Sequence, residues 1–181
     1  SLRRIIAHEI GHSLDVPEDT QTRLQGHASW IKELYCDLIA LKGYSEIEGL
    51  NPREREPEIA LAMTLASGRL DYQIYNNSGK DHTRQEYFRA RAIILKYLLD
   101  GGNVRIETNR LGEGFLNWDD PRTVFDDISN LLIAVENIMR QGQFKEAEAF
   151  LNHYFNPRIY DQIERAEFEG NGTSKNFLDN S

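Results

Sequence analysis

Apolar residues recur along most of this chain at spacings of three and four, the period of a helix that buries one face. The first such run covers residues 2–14 and carries Leu2, Ile5, Ile6, Ile10 and Leu14. A polar stretch from Asp15 to Gly26, punctuated by Pro17, predicts a loop. Ser29 is placed to cap a second helix whose Trp30, Leu34, Leu38 and Leu41 share a face, with Gly43 as its stop. After a polar connection over 44–56, a third helix is predicted over 57–75, with Ile59, Met63, Ala66, Leu70 and Ile74 in register. Asn76 to Gly79 break it, and a fourth follows over 83–99, ending at Gly101 and Gly102.

The period then changes. Asn103–Glu107 and Gly114–Trp118 flank a glycine-containing turn, which predicts a small β-hairpin. Asp119 or Asp120 can cap the next helix, with Pro121 in its first turn. That helix runs to about Arg140 on Val124, Ile128, Leu131, Leu132, Val135 and Ile138. Gly142 separates it from a last amphipathic helix over 143–155, which predicts antiparallel packing of the two. From Gly170 onward Gly, Asn and Ser dominate, so 1–169 reads as one folded unit and 170–181 as a loose tail. The fold class is mainly α, with one small hairpin and no internal repeat.

Length and charge narrow the function. With 181 residues the chain can bury a core of its own. A formal charge of −8 argues against nucleic acid as a partner, because binding phosphates needs basic patches. No stretch reaches the roughly 18–20 consecutive apolar residues that cross a bilayer. The single cysteine, Cys36, excludes an intrachain disulfide and a cysteine-based metal cluster, and its apolar neighbours predict a buried thiol.

The chemistry is concentrated at the start. His8-Glu9-Ile10-Gly11-His12 has the form HExxH. Residues four apart share a helix face, so His8 and His12 can point at one ion, while Glu9 is placed to take a proton from metal-activated water. Such a site needs a third protein ligand and an open fourth position. Glu33 lies twenty-one residues past His12 on the second helix. Asp37, one turn further, can fix the tautomer of a ligand histidine. Two histidines one turn apart also occur on ordinary helix surfaces, so Glu33 and Asp37 give the motif its weight. His27 is the competing third ligand and reads better as an exposed loop histidine; Asp15 belongs to the turn. Tyr72 and Tyr75 read as core aromatics, while His82 and His153 read as surface or packing residues. Asn171-Gly172-Thr173 fits a glycosylation sequon and carries no weight alone.

HExxH followed by Glu33 and Asp37 as ExxxD resembles the gluzincin zinc peptidases. Further segments resemble the dipeptidyl peptidase III family in order: HEIGHS, ELYCDLIAL, RARAIILKYLLDGGNVRI and IMRQGQFKEAEAFLNHYF. The resemblance implies Zn2+ bound by His8, His12 and Glu33, with Glu9 as general base and Asp37 behind a ligand histidine. It implies a helical zinc-bearing lobe of a larger, two-lobed metallopeptidase, with the substrate-binding lobe upstream of this chain. Oligopeptides are the substrate class implied, and the cytoplasm the compartment. The chain departs from the family in its shorter HExxH, where many members have HExxxH. It also has Tyr87 where the family usually has a histidine near the reacting carbonyl. A tyrosine hydroxyl can donate to an oxyanion, so Tyr87 and Arg91 are the candidate helpers of catalysis. The alternative is a catalytically inactive module of the same fold, kept as a binding scaffold. Oligomeric state is not legible in the sequence.

Overall fold

A helix buried along most of its circumference has to be surrounded, and α3 (Ala28–Glu46) is such a helix. Trp30, Ile31, Leu34, Cys36, Leu38 and Leu41 on it are all at most 1% exposed. The computed structural model describes residues 2–14, 16–46, 56–78, 82–118 and 120–163. Around α3 it packs α1 (Leu2–Ser13), α4 (Glu56–Ser78), α5 (His82–Gly101) and α6 (Pro121–Gln141). A two-stranded antiparallel hairpin, β1 (Val104–Thr108) and β2 (Gly114–Trp118), follows α5 and pairs Val104 with Trp118 and Thr108 with Gly114. The fold is therefore mainly helical with one small hairpin, as the periodicities require.

Local chemistry explains the ends of several elements. Gly102, with φ +78°, closes α5, and its N–H donates to the Leu99 carbonyl at 3.1 Å. Asp120 caps α6 by accepting from the Arg122 N–H at 2.9 Å. In the hairpin turn, Asn109 Oδ1 accepts from the N–H groups of Leu111 and Glu113, while Gly112 takes φ +82°.

Some expectations need correction. The loop read over 15–26 contains a short helix, α2 (Thr20–Leu24), continued by a 3-10 turn at Gln25–His27. Its anchor is distant in sequence: Thr20 Oγ1 donates to the Met139 carbonyl, and Arg23 donates to the carbonyls of Met139 and Arg140 at the end of α6. Because that turn leads straight into α3, Ser29 lies inside the helix rather than capping it. Gly43 does not stop α3, because it is solvent-exposed and a helical glycine there costs only about 1 kcal/mol. The last helix, α7 (Phe144–Tyr154), does not lie back along α6. Gly142 is extended between them, and α7 packs against α5 and the 25–27 turn. A further 3-10 segment, Pro157–Gln162, lays Ile159 and Tyr160 into the core. The 170–181 tail and the Asn171 sequon lie outside the described residues, as do Asp15, Asp119 and the His82 side chain.

Helix α1 inverts the usual pattern. Ile5, Ile6 and Ile10 face outward, each at least half exposed, while His8 is 8% exposed against α3. Polar groups turned inward need partners.

Candidate metal centre

Those partners come from α3. His8 Nδ1 stands 3.0 Å from Asp37 Oδ1, in a pair where Asp37 is only 2% exposed. A carboxylate only accepts, so Nδ1 carries the proton and Nε2 is the atom left to face outward. It faces a convergence. His8 Nε2 lies 3.2 Å from Glu33 Oε2 and 3.1 Å from His12 Nε2, and His12 Nε2 lies 3.6 Å from the same Glu33 oxygen. These three side chains are the one group of histidine and carboxylate residues among the described residues with ligand atoms close enough to share a cation.

The triangle has the dimensions a small cation needs. Ligand atoms bound at about 2.0–2.1 Å and set at tetrahedral angles stand about 3.3–3.4 Å apart. Glu33 Oε2 is buried and receives no hydrogen bond, despite two ring nitrogens within 3.6 Å. An orphaned carboxylate oxygen facing two imidazole nitrogens is accounted for when all three share one ion. Without a cation, a proton takes its place: burial opposes charging His8, but once Nε2 is protonated it can donate to Glu33 while Nδ1 donates to Asp37, and these bonds with the two negative charges raise its pKa to about 9.

Why α1 comes so near α3 is decided by Gly11. A Cβ at that position would stand 2.9 Å from the Cys36 Cα and 3.1 Å from its Sγ. Only a bare helix face admits that approach, and it is the approach that lets His8 and His12 reach Glu33. Sequence patterning does not single out Gly11, because the middle positions of HExxH look free. Gly11→Ala is expected to push the helices apart, costing about 1–3 kcal/mol of stability and weakening metal binding. Calorimetric titration alongside thermal melting checks both. The Cys36 thiol wedged there is fully buried, and burial pushes its pKa up to about 12, as befits an inert packing group.

The remaining candidates divide. Glu9 lies on the exposed side of α1, directly after His8 and one turn before His12 in sequence, and its charge reaches Tyr87. The Tyr87 ring centre is 6.1 Å from that of His8. Burial, then the charges of Glu33 and Glu9, hold the Tyr87 hydroxyl above its ordinary pKa, so it remains a proton donor at neutral pH. Arg91 is 5.4 Å from the centre of the Tyr87 ring, but its guanidinium is engaged by Asp37 and Asp71. His27 is not a loop residue open to solvent. Its Nδ1 accepts from Trp30 Nε1 at 3.0 Å, and its ring packs on Phe144, well away from the cluster. Tyr72 donates to Asp161 at 2.6 Å and stacks on Tyr160, whereas Tyr75 is partly exposed against Phe88. His153 is exposed beside Tyr154.

A helical lobe with a two-histidine, one-carboxylate cluster is the class that fold and site define. Its fold is DPP III-like: the solved structure of DPP III from Caldithrix abyssi superposes with a TM-score of 0.65 over 88% of this chain, at 18% sequence identity. The match covers 31% of that chain, so the present chain spans about a third of its length. No protein-family model and no curated protein matches the sequence. Among the described residues no helix is long and apolar enough to cross a membrane.

Proposed function

We propose that this chain is the zinc-bearing lobe of a peptidase of the dipeptidyl peptidase III type, hydrolysing peptide bonds of oligopeptides. The observation that carries the reading is the convergence of His8 Nε2, His12 Nε2 and Glu33 Oε2 at mutual distances of 3.1–3.6 Å. Two imidazoles and a carboxylate are the donor set of a catalytic rather than a closed structural zinc site. Zinc bound there supplies Lewis acidity toward a carbonyl and lowers the pKa of water toward ~7.

The other roles belong to the chain's own side chains. Asp37 holds His8 in the tautomer that leaves Nε2 for the ion. Glu9, exposed beside the ligands, takes the proton of the attacking water and returns it to the leaving amine. Tyr87 keeps its proton and donates to the carbonyl oxygen as negative charge develops there. The acidic surface, with a charge of −8, favours peptides over nucleic acid as the bound partner. The same resemblance supports a cytoplasmic location.

Incubation of the zinc-loaded protein with a mixture of short peptides tests the reading by mass spectrometry. Cleavage that stops on chelation and returns with zinc is expected. Tight stoichiometric zinc without cleavage of any peptide would leave the inactive scaffold as the correct description.

A further inference from the structure

Asp37 is a buried carboxylate, and a buried charge must be compensated on every side it presents. Its Oδ1 accepts from His8; its Oδ2 accepts from Arg91 Nε at 3.4 Å. Arg91, on α5, is itself only 12% exposed, and its Nη1 donates to Asp71 Oδ2 on α4. A continuous chain of polar contacts thus runs His8–Asp37–Arg91–Asp71, taking one residue from each of α1, α3, α5 and α4.

The backbone is shaped to allow it. Gly68 lies one turn before Asp71 on the same helix, and a Cβ at Gly68 would stand 3.0 Å from the Arg91 Cβ and 2.2 Å from the Tyr160 hydroxyl. The glycine lets α4 come close enough for Asp71 to reach the guanidinium. Tyr160, 3% exposed and with no hydrogen bond to its hydroxyl, packs its ring end against Gly68 at the same point.

We propose that Asp71 is a positioning residue of the metal centre, holding Arg91 so that Asp37 stays fixed on His8. This inference rests on the metal-centre reading above. Two effects are combined in it. A guanidinium pinned at one end only can swing about its stem, and Asp37 would then share its oxygens differently between Arg91 and His8. Pinned at both ends by a two-sided fork, it has one geometry, which a lysine cannot supply. Charge balance is the second effect. Asp37, Arg91 and Asp71 together carry one net negative charge, which favours a cation close by. Without Asp71 the Asp37–Arg91 pair is neutral, and the net negative charge that favours a cation there is lost.

Cobalt titration of the full protein tests this, because tetrahedral Co2+ reports ligand geometry in its visible absorption bands without requiring turnover. Asp71→Asn keeps volume and shape but removes the charge. It is expected to weaken Co2+ binding about tenfold, the low end for outer partners of metal-bound histidines, and to shift the bands. Asp71→Glu should recover most of the affinity. Arg91→Lys, which keeps the charge, should lose affinity as Asp71→Asn does. Should Asp71→Asn fail to fold, Arg91→Lys carries the test. Unchanged affinity and unchanged bands in the folded variants, even with a lowered melting temperature, would overturn the inference and leave Asp71 a merely structural residue. A wild type that binds no Co2+ would instead overturn the metal centre, and this inference with it.

Discussion

Glu9→Gln is expected to abolish most peptide hydrolysis while leaving zinc in place. The substitution preserves size and helix propensity at a solvent-exposed position of α1, so neither the fold nor the ligand set should change. What disappears is the base. Positioned general acid–base groups contribute about 10²- to 10⁴-fold to rate, and the loss in kcat should fall in that range with KM little altered. Metal content measured on the same preparation separates this from loss of the ion. A variant that retained wild-type turnover would show that another group moves the proton, and Glu9 would then be an exposed helix residue with no chemical role.

Loss of a ligand should act on the metal instead. Glu33→Ala removes the orphaned oxygen on which both Nε2 atoms converge. Zinc affinity should fall by more than about 100-fold, beyond the range that outer partners of metal ligands give. The loss is also visible as stability: a ligand at 1,000 times its Kd stabilises the folded state by about 4 kcal/mol. Zinc should therefore raise the melting temperature of the wild type and leave that of Glu33→Ala nearly unchanged. A pH signature accompanies it. In the metal-free wild type, His8 has a folded-state pKa of about 9 against an ordinary 6.5. Its contribution to stability is then fully present below 6.5 and lost as pH rises through 9. Zinc requires the deprotonated ring, so affinity should climb with pH toward 9 and then level. Removing Glu33 takes away one of the partners that raise the pKa, and the stability loss should move to lower pH.

Part of the fold could be read from spacing because helices such as α6 bury a single stripe, whereas in α4 the expected Met63 and Leu70 are exposed and Leu61 and Leu65 are buried instead. In α6, Val124, Ile128, Leu131 and Val135 are nearly fully buried, and the apolar period marks that face directly. The hairpin followed from its turn residues. Helix α2 was hidden for a physical reason: Thr20–Leu24 is five polar-rich residues, and its stability comes from Thr20 and Arg23 bonding to the end of α6. No local pattern encodes a partner more than 110 residues away. The exposed isoleucines of α1 mislead in the opposite sense, since apolar periodicity points to the face that solvent sees.

The convergence of these side chains was legible because metal chemistry would impose such a spacing. His8 and His12 must lie one turn apart, and Glu33 and Asp37 one turn apart on the facing helix. The structure brings all four together. Gly11 and Asp71 were not legible, since each acts through the distance between two helices. A glycine in a motif's variable position and an aspartate on a half-buried helix face carry no signature until α1 meets α3 and α4 meets α5.

Anomalous diffraction at the zinc edge, from crystals of the zinc-loaded protein, examines the metal site most directly. One peak is expected, about 2.0–2.1 Å from Nε2 of His8, Nε2 of His12 and a carboxylate oxygen of Glu33, with a fourth position open to solvent. No peak between the two rings, or a cation there with the Glu33 carboxylate turned away, would contradict the account.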